Sequence, residues 1–173
     1  MTSFLIEDVP GFTPQIGHLV GMMQYVRTTT LQAVRELSQE QLDHVQDAQS
    51  NSIGALLAHV AAVEVAYQIT TFEGRELNEE ENARWIAALD LGEAARKEIR
   101  GRPLDHYIQV LEEVRARTLS EFAKRTDAWL YERSTWGKGE ANNYFLWFHV
   151  FEDELSHRGQ IRWLRKRLPA SFR

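Results

Sequence analysis

The chain has 173 residues, enough for one domain with a sizeable core, and its 43% apolar and 26% charged residues are ordinary for a globular protein. Twenty basic against twenty-five acidic residues give a net charge of -5, which argues against general nucleic-acid binding. The absence of cysteine excludes disulfide frameworks, thiolate zinc sites and a cysteine nucleophile. No unbroken run of about 18 apolar residues suggests a membrane span. The start, Met1 to Pro10, lacks the basic-then-apolar pattern of a secretory leader, so a cytoplasmic setting is expected.

The first periodic segment runs from about Gln15 to Leu37. Its stripe is Ile16, Leu19, Met23, Val26, Thr30, Val34 and Leu37, at helical three- and four-residue spacing. Polar residues Ser38 to Gln49 follow. The second segment runs from about Ser52 to Glu73, with Ile53, Leu56, Val60, Val63 and Tyr67 on its apolar face. Ser50, Asn51 or Ser52 can cap its start, and Gly74 suits its end. Leu77 to Gly101 reads as a connection with one short helix near Asn82 to Leu91.

The third long segment begins near Pro103 and continues through Leu104, Ile108, Leu111, Val114, Leu119 and Phe122 to about Lys124. Asp127 to Gly139 reads as a loop. The fourth runs from about Glu140 to Leu168, before Pro169. No sustained strand alternation is visible. The expected architecture is all-α: residues 1–173 as a single four-helix bundle, with a long crossover between its second and third helices.

On the fourth helix, Leu146, Val150, Ile161, Leu164 and Leu168 share an arc of roughly 60°. Asp153 and His157 fall in or beside that arc, four residues apart and therefore neighbours. Polar groups in a core stripe are costly unless satisfied. A metal ion satisfies both, since it takes imidazole nitrogen and carboxylate oxygen together; a buried hydrogen-bonded pair is the plainer alternative. Tight binding needs a third ligand. His59 is the best candidate, on the shoulder of the second helix's stripe between the small residues Ala55 and Ala66.

His149 lies one turn before Asp153 and reads as a core-edge histidine; His18, His44 and His106 read as surface histidines. Glu152 and Glu154 point away from Asp153 and are expected to be solvated or paired. Arg158, Arg162, Arg165, Lys166 and Arg167 crowd the C-terminal end of the helix, where cations suit its dipole. A second apolar arc of Tyr144, Phe148, Phe151 and Leu155 is expected to pack on the Leu77–Gly101 connection or, preferably, to form a symmetric homodimer contact.

The stretches from Asn51 through His59 to Glu64, and from His149 through Asp153 and His157 to Ile161, together resemble the two ligand helices of the DinB/YfiT-like family of helical metalloproteins. The resemblance covers roughly Gln15 to Leu168. It implies a divalent metal ion (zinc, nickel, iron or manganese) held by His59, Asp153 and His157. Asp153 stands where many members have a third histidine. It further implies a thiol S-transferase using a low-molecular-weight thiol as cosubstrate. A metal-dependent hydrolase acting through activated water, and a non-catalytic metal-binding or stress-related protein, remain open beside it.

Overall fold

In a computed structural model, residues 4–172 are described. The described residues are mostly helical. Four long helices dominate: α1 (Pro14–Val34), α3 (Ile53–Gln68), α6 (Leu104–Phe122) and α8 (Asn143–Arg165). Shorter helices are α2 (Gln39–Asp43), α4 (Glu79–Asp90), α5 (Gly92–Glu98) and α7 (Asp127–Leu130). Helix α8 packs on α1 and α3, α3 packs on α6, and α4 lies against α3.

All seven residues of the α1 stripe are buried, as are the five named for α8. Helix α1 starts at Pro14, where a missing N–H costs nothing. Its N-terminal amides are satisfied from a distance: Asp127 Oδ1 accepts from the Gln15 and Ile16 N–H groups, both at 3.1 Å, and from the Thr13 hydroxyl. Ser52 caps α3 by accepting from the Ala55 N–H. A π-helical turn, Ile69–Glu73, continues α3, and Gly74 closes it at φ 65°, the left-handed geometry that glycine adopts without strain. This long apolar stretch passes a length-and-hydropathy test for a membrane span. Most of it is buried inside the protein, with Glu64 among its buried residues, so it reads as a core helix.

The sequence reading is corrected at three places. The crossover carries two helices, α4 and α5, instead of one. Asp127 to Gly139 is not a plain loop: α7 is followed by an antiparallel hairpin, β1 (Arg133–Trp136) paired with β2 (Gly139–Asn142). Both strands are mostly exposed, so they show no apolar alternation. Gly137, at φ 58°, takes the first central turn position, which favours glycine in a tight hairpin. Finally, the second arc of α8 does not turn to the crossover. Phe151 is buried, and Tyr144 and Leu155 half-buried, in a cluster built with Ile16, Leu19, Val20 and Met23 of α1. Phe148 is the arc's exposed ring, which leaves little of that arc for a dimer contact.

A second cluster joins α3 to the C-terminal half of α1, the N-terminal half of α6 and the C-terminal half of α8. Between the two lies a buried ionic network. Arg27 of α1 meets Glu154 (3.0 Å) and Glu64 (3.2 Å), and Arg115 of α6 meets Glu64 (2.8 Å). Thr118 donates to Glu64 Oε1, and Gln68 donates to Thr118. Glu154 is therefore paired and fully enclosed rather than solvated. Two arginines and two glutamates balance in charge, which is how buried ions are tolerated. Two of the C-terminal cations also tie α8 to α1: Arg158 donates to Thr29 Oγ1 and Arg165 to the Ala33 carbonyl.

Candidate metal centre

Three side chains meet where α3 faces α8. His59 Nε2 lies 3.5 Å from Asp153 Oδ2, and His157 Nε2 lies 3.4 Å from Asp153 Oδ1. One ligand atom from each residue lies within 4.8 Å of the others. The imidazole rings of His59 and His157 approach to 4.6 Å between centroids at 74°. His59, Asp153 and His157, expected from the sequence to converge, are thus brought together. His59 is buried, and Asp153 keeps 18% of its side chain exposed, so the cluster retains an opening to solvent.

The carbonyl of Ala88, in the last turn of α4, lies 2.8 Å from His59 Nδ1. A carbonyl only accepts, so Nδ1 carries a proton, and Nε2, which faces Asp153, is the atom that can hold either a second proton or an ion. The Ala88 carbonyl is free because its helical partner, the Gly92 N–H, donates to Asn51 Oδ1 instead. This carbonyl leaves no trace in the sequence, because a backbone acceptor carries no residue-type signature.

A bare nitrogen facing a carboxylate is electrostatically unfavourable unless a proton or cation lies between them. The separations of 3.4 and 3.5 Å are long for N–H···O bonds, whose usual length is about 2.9 Å. They match the spacing of two ligands on a tetrahedral ion with bonds of about 2.1 Å, roughly 3.4 Å apart. Asp153 Oδ2 and His157 Nδ1 are buried without a hydrogen-bond partner. Orphaned buried polar atoms need an explanation, and an ion accounts for the carboxylate oxygen. Two imidazoles and a carboxylate suit zinc, iron, nickel or manganese. The residues present therefore fit a divalent ion.

Burial works to raise the Asp153 carboxyl, but the facing His157 and His59 imidazoles hold it well below the usual carboxylate range. Burial works to lower His59, but Asp153 and the Ala88 carbonyl outweigh it and raise it. The cluster is therefore anionic at Asp153 and receptive to a cation.

Around it, His149 is half-buried against the rings of Tyr67, Trp136 and Phe145. Its Nδ1 lies 3.4 Å from Glu152. Tyr67, read from sequence as part of the core stripe, is half-buried beside His149. His106 is exposed, while His18 and His44 are half-buried; His18 pairs with Asp8 at 3.4 Å.

Residues 18–170 match the Mycothiol-S-transferase family. No curated protein matches the chain. The match takes in both ligand-bearing helices and the crossover that supplies the Ala88 carbonyl. By that extent of likeness the chain belongs to the mycothiol S-transferase family, within the DinB/YfiT-like superfamily of metalloproteins.

Proposed function

We propose that this protein is a metal-dependent thiol S-transferase that holds one divalent ion with His59, Asp153 and His157 and joins a low-molecular-weight thiol to an electrophilic carbon. The observation that carries this reading is the convergence of two imidazole Nε2 atoms on one buried carboxylate, with the His59 tautomer set by Ala88. The family name points to mycothiol as the thiol. When bound, the ion supplies a Lewis-acidic position that lowers the pKa of a thiol and so makes a nucleophile near neutral pH.

The chain's own residues account for the remaining requirements. His59 and His157 present neutral nitrogen, and Asp153 adds one negative charge, so three ligands leave coordination open for a substrate. With no cysteine of its own, the protein takes its sulfur from the cosubstrate. In the transfer, the sulfur–carbon bond forms, the leaving group departs with its bonding pair, and the thiol proton goes to solvent. The scaffold is read as one four-helix bundle domain over residues 1–173, with α4 and α5 as its crossover. A cytoplasmic setting completes the reading.

The test is turnover by protein purified without a histidine tag and loaded in turn with zinc, nickel, iron(II) or manganese. Mycothiol consumption in the presence of an alkyl halide should require metal and should be lost in His157→Ala. Turnover of ester or amide substrates without any thiol would replace the transferase reading by a hydrolase. Metal-dependent stabilisation with no turnover of either kind would leave a non-catalytic binding protein.

A further inference from the structure

Along the contact between α3 and α8, a second group of polar atoms lies about two turns from the metal centre. His59 faces Asp153 and His157, and two turns later Tyr67 faces His149, so the two helices run antiparallel. Trp136, the last residue of β1, closes this end. Its indole N–H donates to the Tyr67 phenol oxygen over 2.9 Å. Its ring lies 5.0 Å from that of His149 and 5.3 Å from that of Phe145. The hairpin and α8 thus meet the phenol of α3, which lies 69 positions before Trp136.

Core packing does not account for this arrangement. Trp136 is 45% exposed and Phe145 39%, so neither ring contributes much to the buried clusters. Large aromatic rings left open to water beside an oriented polar group are what a ligand site presents. The Trp136 N–H occupies the acceptor side of the phenol. The phenol hydrogen donates to no group among the described residues and is free for a substrate. Burial, with the charges of Asp153 and Glu152, raises the Tyr67 pKa despite the opposing Trp136 bond, so the phenol keeps its proton.

We propose that Tyr67, oriented by Trp136, donates a hydrogen bond to an oxygen of the electrophile, and that Trp136 and Phe145 form the wall against which an aromatic-bodied electrophile lies. This subsite rests on the S-transferase reading and adds to it the class of the second substrate. The hairpin, otherwise a minor excursion between α7 and α8, becomes a specificity element of the site.

The test uses the metal-loaded full chain, mycothiol, and two electrophiles. With phenyl vinyl ketone, sulfur bonds to the terminal vinyl carbon and the carbon beside the carbonyl takes a proton from solvent. With benzyl chloride, sulfur bonds to the benzylic carbon and chloride leaves with the bonding pair. Tyr67→Phe should lower kcat/KM for the ketone about 10²-fold, the scale of one donor to a developing oxyanion. The loss for benzyl chloride should be several-fold smaller, and the KM for mycothiol and the metal content should hold. Trp136→Phe, which keeps a ring but loses the N–H, should move the ketone in the same direction by less. Equal losses on both electrophiles, or loss of metal, would show a merely structural role and overturn the proposal.

A second arm needs no turnover. Acetophenone, an unreactive aromatic ketone, is titrated while the Trp136 indole N–H resonance is followed by NMR, that resonance being the one missing in Trp136→Phe. Affinity weakened by about threefold or more in Tyr67→Phe, as loss of one net hydrogen bond requires, supports the subsite; unchanged affinity overturns it. Tyr67-dependent binding without wild-type turnover would sink the transferase reading and leave the subsite standing.

Discussion

Replacing Glu64 by glutamine tests how the metal-bearing helices are held. Glu64 is fully buried and accepts from four donors: Arg115 Nε (2.8 Å) and Nη2 (3.1 Å), Arg27 Nη2 (3.2 Å) and Thr118 Oγ1 (2.6 Å). Burial works to raise its pKa, but the two arginines outweigh it and lower the value, so the group is ionised. Glutamine keeps the shape, removes the charge and leaves two arginines facing Glu154 alone. Breaking one partner of a buried ionic set costs about 3–5 kcal/mol. For a chain of this size that is a fall in Tm of about 6–20 °C, at roughly 2–4 °C per kcal/mol. Urea unfolding and calorimetry measure it directly. Adding Arg115→Met restores charge parity, because the Arg27–Glu154 pair survives at 3.0 and 3.2 Å. The double variant should therefore cost less than the sum of the singles, by about 1 kcal/mol or more. A loss below about 1 kcal/mol for Glu64→Gln, or simple additivity, would refute the argument that the network acts as one unit.

Four further outcomes follow from the site and the helix caps. His59→Ala and His157→Ala should each abolish stoichiometric metal by elemental analysis; full metal in either removes that residue as a ligand. Asp153→His, which restores the three-histidine set common among DinB/YfiT-like proteins, should retain one metal per chain, and loss of metal would contradict the shared ligand position. Chelation should lower Tm by several degrees, since a ligand at about 100 times its Kd adds about 2.7 kcal/mol; an unchanged Tm would show that no ion was bound. Asp127→Ala should destabilise by about 1 kcal/mol through the loss of the α1 cap. Burial works to raise the Asp127 carboxyl, but Thr13 and the Gln15 and Ile16 amides lower it. Its contribution is present above the ordinary carboxylate pKa and is lost as pH falls through the depressed folded value. The stability difference between wild type and Asp127→Ala should therefore shrink below about pH 4, the ordinary carboxylate range. A difference that grows in acid would refute the sign.

The long helices were legible because their stripes repeat at helical spacing. Met23, Val60, Leu111 and Val150 are each followed four residues later, on the same helical face, by a charge: Arg27, Glu64, Arg115 and Glu154. Those charges beside the apolar stripes, two of each sign on four helices, are the trace of the buried network in the sequence. The triad was legible because Asp153 and His157 share a turn within a core stripe. The polar group around Tyr67 was not, because Trp136 reaches Tyr67 across 69 positions from a hairpin too short and exposed to show alternation. The α4–α5 pair was underread because α4 buries little: among its residues only Ala88 is enclosed.

With an ion held as proposed at His59, Ala88 joins the crossover to it by thermodynamic linkage. Its carbonyl sets the His59 tautomer only while α4 is docked, so any ion that prefers the bare Nε2 also prefers the docked crossover. The coupling is reciprocal: loosening α4 weakens metal retention, and loading metal slows exchange of the α4 amides. Substitutions on the exposed face of α4, touching neither ligand nor substrate, then become a dial on metal affinity. A segment that reads as a connector acts as the clasp of the site.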